Sequence, residues 1–142
     1  MLTLSNEWFA SESGTGNRTI ITRGRLLLEN FMASGRYSTR VEISWSYAPQ
    51  SRSMPPEDEA GQIDLITGYL SEAMEADRLA VLTAVHTGAG HAVSVYYTRD
   101  LQAFSKRVDR LLSTFPPLPI TIGAVLDAEW MAYTQMKEQI GL

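Results

Sequence analysis

His86 and His91 bracket the run Thr87-Gly88-Ala89-Gly90. Imidazoles are the side chains that bind metals or move protons near neutral pH. If the turn is closed by Thr87 and Gly90, the two rings lie directly opposite on one face of a hairpin. A catalytic zinc site needs at least one more protein ligand, and no His-Glu-x-x-His helix or nearby carboxylate pair supplies it. A three-residue loop would break the pairing. Without those additions, His86 and His91 read as polar residues beside a surface turn.

Other catalytic constellations fare worse. Ser94, His86 and Asp127 make a Ser–His–Asp set on paper, but no Gly-x-Ser-x-Gly elbow accompanies them. Gly88 and Gly90 lack the Lys-Ser/Thr that follows a phosphate loop, and no Gly-x-Gly-x-x-Gly occurs. Glu57-Asp58-Glu59 has no Asp-x-Asp-x-Asp-Gly calcium loop around it and reads as the charged start of a helix. No cysteine is present, so thiolate catalysis, cysteine metal sites and disulfides are excluded. No catalytic residue and no cofactor is assigned.

Arginine carries the remaining binding chemistry. Arg18, Arg23 and Arg25, with Arg40 alongside, read as a basic face whose guanidinium forks suit carboxylates or phosphates. The competing reading is a solvated strand in a chain that prefers arginine, with ten Arg against two Lys. Residues 1–53 hold six Arg and four Glu, whereas residues 54–142 hold six basic and twelve acidic residues. The net charge of −4 argues against general nucleic-acid binding, which needs a basic footprint. No apolar run reaches the roughly 20 residues of a membrane span, and the N-terminus lacks a signal-peptide pattern. A cytoplasmic protein is expected.

These residues must be positioned by short elements. Trp8 to Glu12 and Arg18 to Arg23 are β-type runs around Ser13-Gly14-Thr15-Gly16-Asn17, a first hairpin. Leu26 to Tyr37 fits either a strand extension or a helical turn. In Arg40 to Tyr47, Val41, Ile43, Trp45 and Tyr47 share one face while Arg40, Glu42, Ser44 and Ser46 share the other. A loop over 48–56 precedes a helix opening at Pro55-Pro56, with Ile63, Ile66, Leu70 and Ala73 at helical spacing to about Ala76. Strand Leu79 to Thr87 is apolar on both faces and therefore needs cover on both, from the hairpin, the terminal helix or a second subunit.

The strand after the turn leads to a helix marked by Leu101, Phe104, Val108, Leu111 and Leu112, capped by Asp100 or Thr98. Phe115-Pro116-Pro117-Leu118-Pro119 stops it. Ile120 to Leu126 is the last strand, and Asp127 caps a terminal helix carrying Trp130 and Tyr133. Trp45, Tyr47, Tyr97 and Trp130 could line a pocket, but such aromatics more often fill a core. The order βαββαβ predicts an α+β fold with a ferredoxin-like core, a mainly antiparallel sheet and helices on one face. One domain is expected over 1–142: an N-terminal hairpin extension over 1–37, the core over 38–126 and a C-terminal helix over 127–142.

The chain resembles the Domain of Unknown Function 695 family from about Arg18 to Tyr133. The resemblance rests on Arg40-Val41-Glu42-Ile43-Ser44-Trp45-Ser46-Tyr47, Met54-Pro55, Ala80-Val81-Leu82, Thr87-Gly88-Ala89-Gly90 and Tyr96-Tyr97-Thr98-Arg99-Asp100. Leu118-Pro119-Ile120 and Asp127-Ala128-Glu129-Trp130-Met131-Ala132-Tyr133 complete it. The chain departs from the family pattern at Ala128, where Pro is usual, and at His91-Ala92, where a basic or polar residue precedes an acidic one. Some members resemble a fusion with a regulator of ribonuclease activity, which implies a regulatory or protein-binding role. The family implies no catalytic residues.

The function expected is a non-catalytic binding or regulatory protein-interaction module, with an unknown protein partner or a second copy of itself in a homodimer. The rival readings are a small enzyme or a metal- or ligand-binding protein using the open sheet face or His86 and His91, and an immunity or toxin-neutralising protein. Fold alone does not choose among them.

Overall fold

The computed structural model describes residues 2–47 and 54–141, so residues 48–53 of the expected loop lie outside the described residues. The first hairpin is β1 (Trp8–Ser13) and β2 (Ile20–Arg25), joined through a 3-10 turn over Gly16–Arg18. Gly14 is required there: its φ is +78°, and a Cβ would meet the Arg18 carbonyl oxygen at 2.2 Å. The ambiguous stretch 26–37 forms a short helix, α1 (Glu29–Ala33). There follow β3 (Thr39–Ser46), α2 (Glu57–Glu75), β4 (Ala80–Gly88), β5 (His91–Thr98), α3 (Leu101–Leu112), β6 (Ile120–Leu126) and α4 (Met131–Gln139). Asp100 is the cap of α3, its side chain accepting from the Ala103 amide at 3.1 Å.

The six strands make one sheet in the order β1-β2-β4-β5-β3-β6. All its neighbouring pairs are antiparallel. A bulge between Leu82 and Ala84 lets Thr83 slip out of register, with Thr83 Oγ1 donating to the Val95 carbonyl at 3.1 Å. The β4–β5 turn is one residue further on than expected. Ala89 and Gly90 have φ of +53° and +89°, and Gly88 pairs with His91. That is a two-residue turn with both central residues left-handed.

Helices cover both faces of the sheet, which corrects the expectation of helices on one face. On the first face, Val41, Ile43 and Trp45 of β3 pack with Leu82, Val85 and Tyr96 under α2 and α3. On the second face, Val81, Ala84, Val95 and Tyr97 pack under Leu28 and Phe31 near α1 and under Trp130, Tyr133 and Met136 near α4. The reason lies in β4 and β5, which are buried on both sides and would leave a large apolar area in water under a single helical layer. Of the three covers expected for β4, the terminal helix supplies this one. Trp45, Tyr47, Tyr97 and Trp130 are all core residues, none more than 5% exposed.

Candidate functional site

Strand alternation puts Glu42, Ala84, His86, Val93 and Val95 on the second face, beside α4. Between them and Ala132, Tyr133 and Met136 of α4 lies a cavity of about 260 Å³. It is continuous in lining with a more open hollow of about 630 Å³ bordered by Ser13, Thr22, Gln135 and Gln139. His86, Ala132 and Met136 line both. The result is a cleft with an apolar inner end and a polar mouth, and His86 stands at the junction.

Thr22 fixes the imidazole, its Oγ1 lying 2.8 Å from His86 Nδ1. Thr22 and His86 are directly opposite residues of β2 and β4. Burial pushes the His86 pKa below its usual value, against a smaller opposing pull from the Glu42 carboxylate. The ring is therefore neutral at neutral pH and offers both a donor and an acceptor nitrogen. Glu42, opposite Val95 on β3, has its carboxylate 3.0 Å from Arg40 Nε, too far off-line for that nitrogen to hydrogen-bond.

His91 does not join this site. The turn places His86 opposite Val93 and His91 opposite Gly88, so the two rings share a face but are offset by two pairs along the hairpin. This corrects the direct pairing expected from a turn closed by Thr87 and Gly90. His91 is exposed, and its Nδ1 lies 3.3 Å from the Ala89 carbonyl oxygen. Among the described residues, no group of three His, Cys, Asp or Glu is placed to hold a metal ion.

The four arginines do not form one basic face. Arg25 points to the first face, where it is buried and pairs with Glu75 at 3.0 Å. Arg40 points to the second face and donates to Asp127 Oδ2 at 2.8 Å. Arg23 is half-exposed and 3.9 Å from Asp64, while Arg18 sits in the turn of the first hairpin. Alternation along β2 and β3, which are separated in the sheet by β4 and β5, explains the separation of Arg25 from Arg40, since Arg25 falls on the first-face positions of β2 and Arg40 on the second-face positions of β3.

Asp127 is the organiser of the second face. Its Oδ2 accepts from Tyr97 at 2.7 Å and from Arg40, and its Oδ1 accepts from the Met131 amide at 2.8 Å. Burial alone would raise its pKa, but the hydrogen bonds from Tyr97, the Met131 and Ala132 amides and Arg40 outweigh it and hold the carboxyl below the usual range. Sequence reading identified Asp127 as a helix cap and missed Glu42, Thr22 and Met136 as cleft residues. The one available signal was the polar face of β3, on which Glu42 sits next to Arg40.

Fold and site together define a small α+β protein whose interior charges are paired and whose cleft opens under its last helix. The chain belongs to a family of unknown function (DUF695), whose model matches residues 6–136. Neither the curated proteins nor the solved structures yield a match. No helix among the described residues is long and apolar enough to cross a membrane.

Proposed function

We propose that the protein is a non-catalytic binding module, one domain on a ferredoxin-like core, that takes a small and largely apolar molecule into the cleft beneath α4. The strand order β4-β5-β3-β6 with α2 and α3 as crossovers supports the ferredoxin-like reading. The observation that carries the binding reading is the continuity of an apolar hollow with a polar mouth at one neutral imidazole. Ligand sites are concave and mostly apolar, with a few polar groups that set orientation. Val93, Val95 and Met136 would hold the ligand's apolar body, and with Nδ1–H of His86 donating to Thr22 Oγ1 its Nε2 would take a hydrogen bond from the ligand's donor group. The reading is non-catalytic because the buried ion pair near the cleft is already engaged: Arg40 is bound to Asp127, whose carboxylate also accepts from the neutral Tyr97 hydroxyl.

The test uses indole, which carries one N–H, and benzothiophene, its near isostere without a donor. Indole is expected to shift the Met136 methyl and His86 ring signals in NMR spectra, with benzothiophene weaker. Met136→Trp, which fills the hollow, should abolish both responses. Equal responses to the two probes would remove the role of His86, and no response to either would remove the cleft as the site.

A further inference from the structure

We infer that Arg36, Arg78 and Arg99 form an anion site, separate from the cleft beneath α4, that takes a dianionic phosphoryl group, free or carried on a small molecule. The three side chains line one hollow of about 540 Å³ together with Leu2, Tyr37 and Asp77. None of these residues borders the cleft. The topology brings them together. Thr98, the last residue of β5, pairs with Thr39 at the start of β3 and with Ala80 at the start of β4. The connections flanking those strand ends therefore converge at one end of the sheet: residues 34–38 before β3, 76–79 between α2 and β4, and 99–100 before α3.

The charge at this end is unbalanced. Among the described residues, Arg23, Arg25, Arg40 and Arg107 each lie against a carboxylate, whereas no ion pair engages Arg36, Arg78 or Arg99. The acid that lines the hollow, Asp77, is already bound: its two carboxylate oxygens accept from Arg107 Nη1 and Nη2, each at 2.8 Å. Three guanidiniums with no paired acid thus share one concavity, in a chain that has sixteen Asp and Glu against twelve Lys and Arg. The Tyr37 hydroxyl registers all three. Burial raises its pKa, and the charges of Arg99, Arg36 and Arg78 pull against that rise.

Arg78 is fixed by its neighbours. Its φ of +58° is left-handed, a strained backbone for a residue with a side chain. Two other lining residues hold it there: the Tyr37 hydroxyl donates to the Arg78 carbonyl at 2.7 Å, and Arg99 Nε donates to the same oxygen at 3.1 Å. The Arg78 amide and Nη1 both donate to the Glu75 carbonyl. A phosphoryl group fits three such cations, since at neutral pH it carries about two negative charges and three acceptor oxygens, and guanidinium forks match its geometry. A carboxylate has one charge and two oxygens, which a single fork satisfies. The net charge of −4 favours a small anion over a polyanion, whose further charges would meet an acidic protein. Leu2, half-buried against the second-face core, offers apolar contact to the organic part of a phosphate ester.

The experiment titrates the full chain with inorganic phosphate, phenyl phosphate and benzoate at neutral pH and low salt, reading heat by calorimetry and the arginine Nε–H signals by NMR. Both phosphates are expected to bind saturably and to shift the Arg36, Arg78 and Arg99 signals, with benzoate weaker than phenyl phosphate by about tenfold or more. Either order of the two phosphates supports the site: tighter phenyl phosphate makes the ligand an ester, and equal or tighter inorganic phosphate makes it the free ion. Arg36→Gln and Arg99→Gln should each weaken binding about tenfold, and the double variant further. Arg110→Gln, at an exposed position on α3 outside the hollow, should bind like the native chain. So should Met136→Trp, which fills the other cleft. Circular dichroism checks folding, and should Arg99→Gln not fold, Arg36→Glu at an exposed position replaces it with the same expected loss. Benzoate binding as tightly as phenyl phosphate overturns the phosphoryl assignment. The site itself is overturned by an absence of saturable binding, or by an Arg36→Gln/Arg99→Gln variant that binds like the native chain. An equal loss in Arg110→Gln would reduce the effect to overall charge, and a loss in Met136→Trp would move the anion to the cleft; each overturns the site as well.

Discussion

At the scale of single residues, Arg25 and Glu75 form an ion pair in which both side chains are buried. Arg25 Nη1 donates to Glu75 Oε2 at 3.0 Å, and the same oxygen accepts the Leu82 amide at 2.9 Å. The guanidinium carbon lies 4.6 Å from the centre of the Trp8 ring. Arg25 Nε and the Tyr96 hydroxyl have no hydrogen-bond partner among the described residues in the same buried region. An ion pair at this depth adds little net stability, but removing one partner strands the other charge in a low-dielectric interior. Arg25→Met and Glu75→Leu are each expected to cost about 3–5 kcal/mol in urea denaturation. The double variant should cost clearly less than the sum, since neither charge is then stranded; the bare Leu82 amide keeps it from being neutral. Additivity to within about 0.5 kcal/mol would mean that the two side chains are not coupled.

At the scale of elements, α4 is attached to the sheet through Asp127 and through the Lys137–Glu29 pair that reaches α1 at 2.9 Å. Trp130, just before the helix, has a left-handed φ of +56°, and the Asp127 carboxylate satisfies the Met131 and Ala132 amides that open the first turn. A second carboxylate, Asp77, is pushed down to about 2 by the two hydrogen bonds from Arg107. Both folded-state values lie below the unfolded value of about 3.9. Their contribution is therefore complete above that value and is lost as pH falls through the folded ones. Stability should decline from about pH 4 downward, toward about 2 where Asp77 titrates. In Asp127→Asn the native stability should be lower at neutral pH and its fall in acid shallower. An unchanged acid limb would show that Asp127 does not titrate on unfolding.

The elements themselves were largely legible. Alternation in β3, the apolar spacing of α2 and the cap at Asp100 are local properties, and local properties survive in sequence. The layer arrangement was not, because periodicity reports that β4 needs two covers without saying what provides the second. The hairpin turn was missed by one residue, since Thr87-Gly88-Ala89-Gly90 offers two glycines that both tolerate positive φ. That single step moved His91 away from His86. The cleft was hidden for a different reason: Thr22, Glu42, His86 and Met136 come from four elements that meet only across the sheet.

At the scale of the whole molecule, two hydrophobic clusters lie back to back on one sheet, and adjacent residues of β5 serve one each. Tyr96 meets Phe104 edge-on at 5.3 Å on the first face, while Tyr97 stacks on Trp130 at 4.2 Å on the second. The Trp130 indole also donates to the Tyr37 carbonyl at 2.8 Å, closing α4 onto the chain before β3. Because β4 and β5 are shared, neither cluster can lose its helices without exposing a strand face on which the other depends. Phe104→Ala and Trp130→Ala should each cost about 3–5 kcal/mol. More tellingly, each should move one common transition, with near-UV and far-UV signals still coincident. Were Trp130→Ala to loosen only the near-UV signal, with the far-UV transition unmoved, α4 would be a separable cover and the second face an independently folding layer. The shared strands argue for the first outcome, because a sheet two side chains thick transmits the loss of either cover through the same backbone ladder.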